Sequence, residues 1–218
     1  MLAHEYGGSP HGPGEAGAPP GEESILEFQE VVRRRRMVRN FDDRPVEPEV
    51  VDRLLDNAVR APSAGFTQGW AFLVLEGAEQ TRRFWDASAP RGHDGARRRW
   101  PGVLRAPLIV VCLASEQAYR DRYAEADKAL TEIGAVPWWY VDTGFAALLL
   151  LLTAVDAGLG ALFLGVADPE GLRAAFGVPA EQTPVGAVAL GYPLPDEPSA
   201  SIARGRRPLD EVVHRGRW

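Results

Sequence analysis

Arginine is the residue type with which this sequence could do chemistry most directly, and it comes in two clusters. One is the run Arg33-Arg34-Arg35-Arg36, which continues to Arg39, and the other is Arg204-Gly205-Arg206-Arg207 near the end of the chain. The guanidinium fork matches the oxygens of phosphate and carboxylate groups, so these clusters could bind an anion. The competing interpretation of the first cluster is a solvated helix end that complements the helix dipole.

Other reactive side chains are sparse. The 218 residues include one cysteine, Cys112, which lies in an apolar run, so we expect a buried structural thiol. No Ser-His-Asp or Cys-His constellation is apparent, nor any metal-ligand spacing, P-loop or dinucleotide-binding glycine motif. The net charge of −6 argues against a general nucleic-acid binder.

A helix over residues 138–158 is expected to organise the fold around these clusters. Its run 145–155 is apolar on every side except at Thr153, which is typical of a fully buried helix. A membrane span is the alternative, but this run is much shorter than the roughly twenty residues that a span needs. We therefore predict a buried central helix and no membrane association.

Helices and apolar strands are interleaved along the rest of the chain, and the first strand follows two predicted helices. The predicted strands cover residues 71–75, 108–114, 161–166 and 185–192, and residues 193–201 are predicted to be a linker. This order favours an α+β fold with a mixed, mainly antiparallel sheet of four or five strands flanked by helices.

The N-terminal residues differ in composition from the rest. Residues 1–23 are rich in glycine and proline, so we predict a disordered tail outside a single domain of residues 24–218. Ser24 and Glu27 have the spacing of a capping box for a helix that ends in the first arginine cluster. The tail lacks the apolar segment of a signal peptide, so a cytoplasmic location is expected.

Four stretches, in this order and at this spacing, resemble the FMN-dependent nitroreductase family. They are Arg35-Arg36-Met37-Val38-Arg39-Asn40-Phe41, Ala61-Pro62-Ser63-Ala64-Gly65-Phe66-Thr67-Gln68-Gly69-Trp70, residues 154–165 with Gly158-Leu159-Gly160, and Gly191-Tyr192-Pro193 followed by Arg204-Gly205-Arg206-Arg207-Pro208-Leu209. The resemblance implies a nitroreductase-like fold and a domain-entangled homodimer. It also implies FMN sites at the dimer interface and a central helix buried between the subunits.

The resemblance implies a set of cofactor-binding residues that come from several parts of the chain. Met37 belongs to this set, although many relatives have serine there. The expected contacts are Arg35, Arg36, Arg204 and Arg206 at the FMN phosphate, Met37 beside them, Arg39 at the pyrimidine edge of the flavin ring, Pro62 and Ser63 from the partner subunit, and the backbone around Leu164 and Gly165 at the hydride-carrying flavin nitrogen.

The activity that the resemblance implies is ping-pong hydride transfer from NADH or NADPH through FMN to a nitroaromatic, a quinone or another small planar organic acceptor. Phe66 replaces a common asparagine, and Trp138 and Trp139 lie where the chain enters the central helix, so these three are expected to form the acceptor pocket. Alternatively, the two tryptophans anchor the helix in the core. The alternative functions are a non-catalytic protein that sequesters or senses flavin and a flavin-dependent dehydrogenase of another substrate.

Overall fold

The fold consists of helices packed around one antiparallel sheet. The computed structural model describes residues 27–88, 100–128, 133–197 and 199–218, so the predicted tail and Ser24 lie outside the described residues. The helices are α1 (Phe28–Arg34), α2 (Pro48–Ala58), α3 (Gly77–Ser88), α4 (Glu116–Tyr123), α5 (Trp138–Asp156), α6 (Pro169–Phe176) and α7 (Leu209–Val212). The strands are β1 (Trp70–Glu76), β2 (Leu108–Ala114), β3 (Gly160–Leu164) and β4 (Thr183–Gly191).

The sheet has the order β1-β2-β4-β3, and all three strand pairings are antiparallel. β2 is buried at every residue, as its continuous apolar sequence predicts. The predicted α+β class is confirmed, with four strands. Among the described residues, the only parallel pairing is a single bridge between Met37 and Ala161. Because β3 is an edge strand, its outer side is available to that bridge.

The central helix α5 packs against α1, α2 and all four strands. It ends before Gly158, whose φ of 70° lies in the left-handed region that favours glycine. By length and composition alone, α5 could cross a membrane. Its apolar residues instead form much of the core beneath the sheet, which accounts for this composition. The core residues of α5 are Ala147, Leu150, Leu151 and Ala154.

A single chain buries only part of α5, although the sequence predicts a helix that is buried on every side. Tyr140, Phe145 and Leu148 are each more than two-fifths exposed, and Gly144 between them is also exposed. Residues three and four apart lie on one side of a helix. We call this side the open face of α5; it is apolar, and its residues belong to neither core cluster of the described residues.

The first helix ends within the first arginine cluster, as the sequence predicts. α1 ends at Arg34, and the following residues are extended. The N–H of Val38 donates to the carbonyl of Ala161 in β3 at 2.9 Å. The Val38 side chain is buried and lies so close to Gly160 that a Cβ there would come within 2.9 Å of it. Pairing with the open edge of β3 thus replaces further helical turns.

The same extended residues pair on their other side with the chain that leaves β4. Phe41 forms an antiparallel bridge with Pro193, and the N–H of Asp42 donates to the carbonyl of Tyr192 at 2.9 Å. We call residues 35–41 the arginine segment. It lies between β3 and residues 192–196, which the sequence predicted to be the end of a strand and a linker.

Residues 199–218 form a C-terminal arm. Every residue of the arm from Ser201 onward is exposed, and Trp218 is fully so. The hydrogen bonds of the arm are local, such as those from the guanidinium group of Arg207 to Glu211. The arm therefore gains no burial from the rest of its own chain.

Candidate functional site

Arg35 and Arg36 are neighbours in the arginine segment but have different surroundings. Arg36 forms an ion pair with Asp196. Arg35 is half-buried, and the described residues provide no hydrogen-bond or ion-pair partner for its guanidinium group. A half-buried guanidinium group without a counterion is a candidate anion-binding group.

Asp196 holds the arginine segment to the chain that leaves β4. Its side chain is only 6% exposed, and Oδ1 accepts from Arg36 while Oδ2 accepts the backbone N–H of Arg39 at 2.8 Å. The side-chain amide of Asn40 donates to the carbonyl of Pro195 at 2.7 Å. The sequence offered no signal for Asp196, because it lies in the predicted linker and far along the chain from its partners.

Arg39 is held by an aromatic ring and a carbonyl. Its guanidinium carbon lies 4.8 Å from the centroid of the Trp100 ring, and Nη1 donates to the carbonyl of Met37 at 3.2 Å. The Met37 sulfur accepts the N–H of Phe163 at 3.5 Å, so this side chain covers the edge of β3. Trp100 was not among the predicted site residues. A flavin contact at Met37 or Arg39 remains a prediction.

Leu164 and Gly165 lie at the end of β3 toward which the arginine segment runs, because the Met37–Ala161 bridge is parallel. Gly165 is exposed, and a Cβ built on it would meet no heavy atom within 4 Å. Its φ is not among the positive values of this chain. The chain itself therefore gives no reason for a glycine here, and the space above its backbone is open.

The loop of residues 62–68 is anchored by a buried carboxylate. Asp142 in α5 is 2% exposed, and its Oδ2 accepts the N–H of Ala64 and the hydroxyl of Tyr119, each at 2.7 Å. Burial, together with this donation to Asp142, raises the pKa of Tyr119 far above its usual range. The hydroxyl of Ser63 accepts the N–H of Gln68 at 2.8 Å. Sequence reasoning missed both Asp142 and Tyr119.

The tip of this loop has an unusual backbone. Phe66 and Gln68 have φ values of 54° and 53°, and Phe66 is 78% exposed. A bulky residue in the left-handed region is uncommon and persists where its surroundings fix it. Arg122 contributes to this by donating from Nε to the carbonyl of Gly65 at 2.9 Å. Phe66 is thus an apolar side chain presented to solvent on a restrained loop.

The two tryptophans are placed below the loop. The ring centroid of Trp139 lies 6.3 Å from that of Tyr119, and Nε1 of Trp138 donates to the carbonyl of Ile133 at 3.2 Å. Both tryptophans are half-buried. Within the described residues, no ring contact joins Phe66 to Trp138 or Trp139. One chain alone therefore does not assemble the predicted acceptor pocket, which remains a prediction.

The other predicted residues also remain apart within one chain. Arg204 and Arg206 lie in the exposed C-terminal arm, and no described contact brings them to Arg35. A cleft of about 600 Å³ opens beside α3, but none of the predicted site residues lines it; its walls include Arg82, Trp85 and Leu104.

Two kinds of chemistry gain no support from the structure. Cys112 is buried, as predicted, and burial raises its pKa to about 12, which leaves the thiol protonated and unreactive at neutral pH. The part of the chain that the structure describes has no cluster of three or more potential metal ligands. The arginine segment, the end of β3 and the loop of residues 62–68 are the features that could hold a ligand.

A comparison with known families decides the assignment. The model of the nitroreductase family matches residues 32–192, which include the arginine segment, the anchored loop and all four strands. The chain belongs to the nitroreductase family. The resemblance found in its sequence motifs is confirmed.

Individual members of the nitroreductase family extend this match. A protein of Methanothermobacter thermautotrophicus that is described as an NADH dehydrogenase/NAD(P)H nitroreductase is 31% identical over 79% of this chain and 81% of its own. An NADPH-dependent oxidoreductase of Staphylococcus aureus is 25% identical over 86% of this chain and 72% of its own. A protein of Exiguobacterium sibiricum described as a nitroreductase in complex with FMN has the same fold. Its TM-score is 0.68 at 20% identity over 87% of this chain and 97% of its own.

Proposed function

We propose that this member of the nitroreductase family is an FMN-dependent oxidoreductase that uses NADH or NADPH to reduce a small planar organic acceptor. The observation that carries the proposal is the half-buried guanidinium group of Arg35, which has no partner among the described residues and lies on a segment that runs toward the open backbone at Gly165. Two relatives support it, one described as an NAD(P)H nitroreductase and one as a complex with FMN.

The phosphate of FMN is the group that suits Arg35. A phosphomonoester carries nearly two negative charges and needs several charge-assisted donors to offset its lost hydration. Arg35 would supply one donor set from within the fold. Arg204 and Arg206 would supply others once the C-terminal arm docks. Arg36 would reach the phosphate only by leaving Asp196.

The flavin ring would lie toward Leu164, Gly165 and Arg39. When bound, FMN supplies the capacity to accept a hydride from the nicotinamide and pass it to the acceptor. The positive charge of Arg39, held over Trp100, would favour the reduced flavin, because a nearby cation is a principal means by which a protein tunes its cofactor. The open space above Gly165 would admit the ring close to the backbone.

A second copy of the chain is the partner that we propose. The surfaces that it would cover are the open face of α5 and the exposed apolar side chains of the C-terminal arm, such as Ile202, Leu209 and Trp218. The family typically dimerises, and a partner subunit would bring its Pro62 and Ser63 to the flavin. The partner's Phe66, with Trp138 and Trp139, would then border the acceptor, which we propose to be a quinone or a nitroaromatic compound. No nucleic-acid or membrane partner is proposed, and we expect a cytoplasmic enzyme.

The purified protein provides the first test. We expect a yellow protein with about one FMN per chain that oxidises NADH or NADPH when a quinone is supplied. The measurements are the absorbance spectrum, identification of the released flavin and the rate of NAD(P)H loss at 340 nm. A colourless protein that takes up no FMN would overturn the proposal. Bound FMN without NAD(P)H oxidation would instead support the non-catalytic flavin-binding alternative.

Gly165→Val provides a second test of the flavin position. A Cβ at this position meets no described heavy atom within 4 Å, so we expect the melting temperature of the variant without flavin to match the wild type, whereas its FMN content falls strongly. Ala167→Val, two residues farther along and also exposed, is the matched control and should retain FMN. Equal FMN content in the two variants would place the flavin elsewhere.

A further inference from the structure

We propose that Asp196 is a positioning residue of the flavin site and that Arg36 is its structural partner rather than a ligand of the phosphate. This inference rests on the proposed function and deepens it, because it separates the arginines that bind the cofactor from the one that holds the binding segment in place. The separation follows from the contacts, burial and charge of the arginine segment.

Asp196 already has a hydrogen-bond donor on each side-chain oxygen. Its carboxylate is almost fully buried, and Oδ1 accepts from Arg36 while Oδ2 accepts the N–H of Arg39. A phosphate that took Arg36 would leave a buried carboxylate with a single backbone donor. Arg36 itself is 52% exposed, but the carboxylate that it would leave is buried, and a buried acceptor that loses a donor is destabilised. Arg36 therefore stays with Asp196 when an anion binds.

Arg35 and Arg36 differ in the net charge of their surroundings. Together, Arg36 and Asp196 are neutral, whereas Arg35 has no carboxylate partner among the described residues. Arg35 is half-buried at the end of α1, whereas Arg36 is exposed and paired with Asp196. An anion is therefore attracted to Arg35 more strongly than to the neutral pair. The two arginines thus have different roles despite their adjacent positions.

Asp196 holds two distant parts of the chain together. It joins residues 36 and 39 to a part of the chain about 160 positions away. The flanking hydrogen bonds from Asn40 Nδ2 to Pro195 and from the N–H of Leu194 to Asn40 fix the same register. Asp196 therefore sets where the backbone of Arg39 lies relative to β3. Any ligand that depends on the segment depends on Asp196 without touching it.

A comparison of FMN with riboflavin, which lacks the phosphate, tests this division. The dissociation constant of each flavin is measured by fluorescence titration of the flavin-free protein, well below the melting temperature of each variant. The variants are Arg35→Met, Arg36→Met, Asp196→Asn, Asp196→Ala and the double change R36M/D196N. Arg34→Met is the matched control, since Arg34 pairs with Glu30 on the exposed surface of α1.

We expect Arg35→Met to raise the FMN dissociation constant about tenfold or more and to leave riboflavin binding nearly unchanged, because a charged hydrogen bond is lost. Arg36→Met and Asp196→Asn should weaken both flavins by similar factors, and the double change should be no worse than either. Asp196→Ala should be weaker than Asp196→Asn, since the asparagine oxygen can still accept the Arg39 N–H. Arg34→Met should bind both flavins as the wild type does.

Two results would overturn the inference. If Arg36→Met weakened FMN alone and Asp196→Asn tightened it, Arg36 would be a phosphate ligand that Asp196 restrains. If the Asp196 variants lowered the melting temperature but bound both flavins normally, Asp196 would be merely structural. Failure of the proposed function is a separate outcome, recognised before any variant is made, because the wild-type protein would then bind neither flavin.

Discussion

Asp142 is a buried carboxylate whose described partners are uncharged. One oxygen accepts both the Tyr119 hydroxyl and the N–H of Ala64. Burying a carboxylate costs free energy unless it accepts hydrogen bonds, so losing either donor of Asp142 is unfavourable. This links the backbone of the loop to α4 and α5 through one atom. The position of Ser63 thus depends on Asp142, which holds the N–H of the next residue.

Tyr119→Phe should lower the free energy of unfolding by about 1.5–3 kcal/mol at pH 7, because a hydrogen bond to a buried carboxylate is lost. The variant should also lose less of its free energy of unfolding at alkaline pH than the wild type does. The pKa of Tyr119 is raised in the folded protein, so its contribution is complete below pH 10 and declines as the pH rises above 10. Urea unfolding of both proteins at pH 7, 9.5 and 11 measures this. If the wild type and the variant lost the same free energy of unfolding between pH 9.5 and 11, the prediction would be wrong.

At the level of the element, the loop of residues 62–68 combines restraint with exposure. Its two positive φ values on residues other than glycine are maintained by contacts with Asp142 and Arg122. Strain of this kind is tolerated where a function requires the conformation. Trp139 packs on Tyr119 beneath the loop, whereas Phe66 points into solvent. Of the predicted pocket residues, Trp139 therefore supports the loop, whereas Phe66 is exposed where it could contact an acceptor.

This division can be tested with Phe66→Ala and Trp139→Ala. We expect Phe66→Ala to keep the melting temperature and flavin content but to change kcat/KM unequally for a narrow and a wide quinone. Trp139→Ala should lower the melting temperature and reduce both rates together, because a large packed side chain is removed. If Phe66→Ala reduced both quinone rates by the same factor, Phe66 would not determine acceptor choice.

The elements differed in how far the sequence could predict them. β2 and the core of α5 were predictable, because long apolar runs have few other stable arrangements. The end of α1 within the first arginine cluster was predictable as well, but the pairing of the residues after Arg35 with the edge of β3 was not. The family motifs pointed to Arg35 and Gly165 as site residues. Asp142 and Asp196 gave no local signal, because each acts through partners that are distant in the sequence.

At the scale of the molecule, the described residues leave the open face of α5 and the C-terminal arm exposed. Phe145, Leu148 and Trp218 would all remain in water in an isolated chain. Contiguous exposed apolar patches are rare in monomeric proteins and mark interfaces. A homodimer that covers both surfaces would also deliver the arginines of the arm and the loop of residues 62–68 to the partner's flavin.

Leu148→Glu should disrupt this dimer, because it introduces a charge on the apolar open face. Sedimentation at micromolar concentration should show a dimer for the wild type and monomer or aggregate for the variant, with loss of FMN. Leu104→Glu is the control, since Leu104 is also partly exposed but lies in the cleft beside α3. A wild-type protein that sediments as a folded monomer would contradict the dimer.

The contacts of the arginine segment also determine the order of events during synthesis. Residues 35–41 leave the ribosome early, but the bridge from Met37 needs Ala161, and the ion pair of Arg36 needs Asp196. Such long-range contacts must wait for the closing of a large loop. These contacts of the arginine segment therefore form only when nearly the whole chain has been translated. If the segment binds FMN as proposed, the cofactor binds after translation.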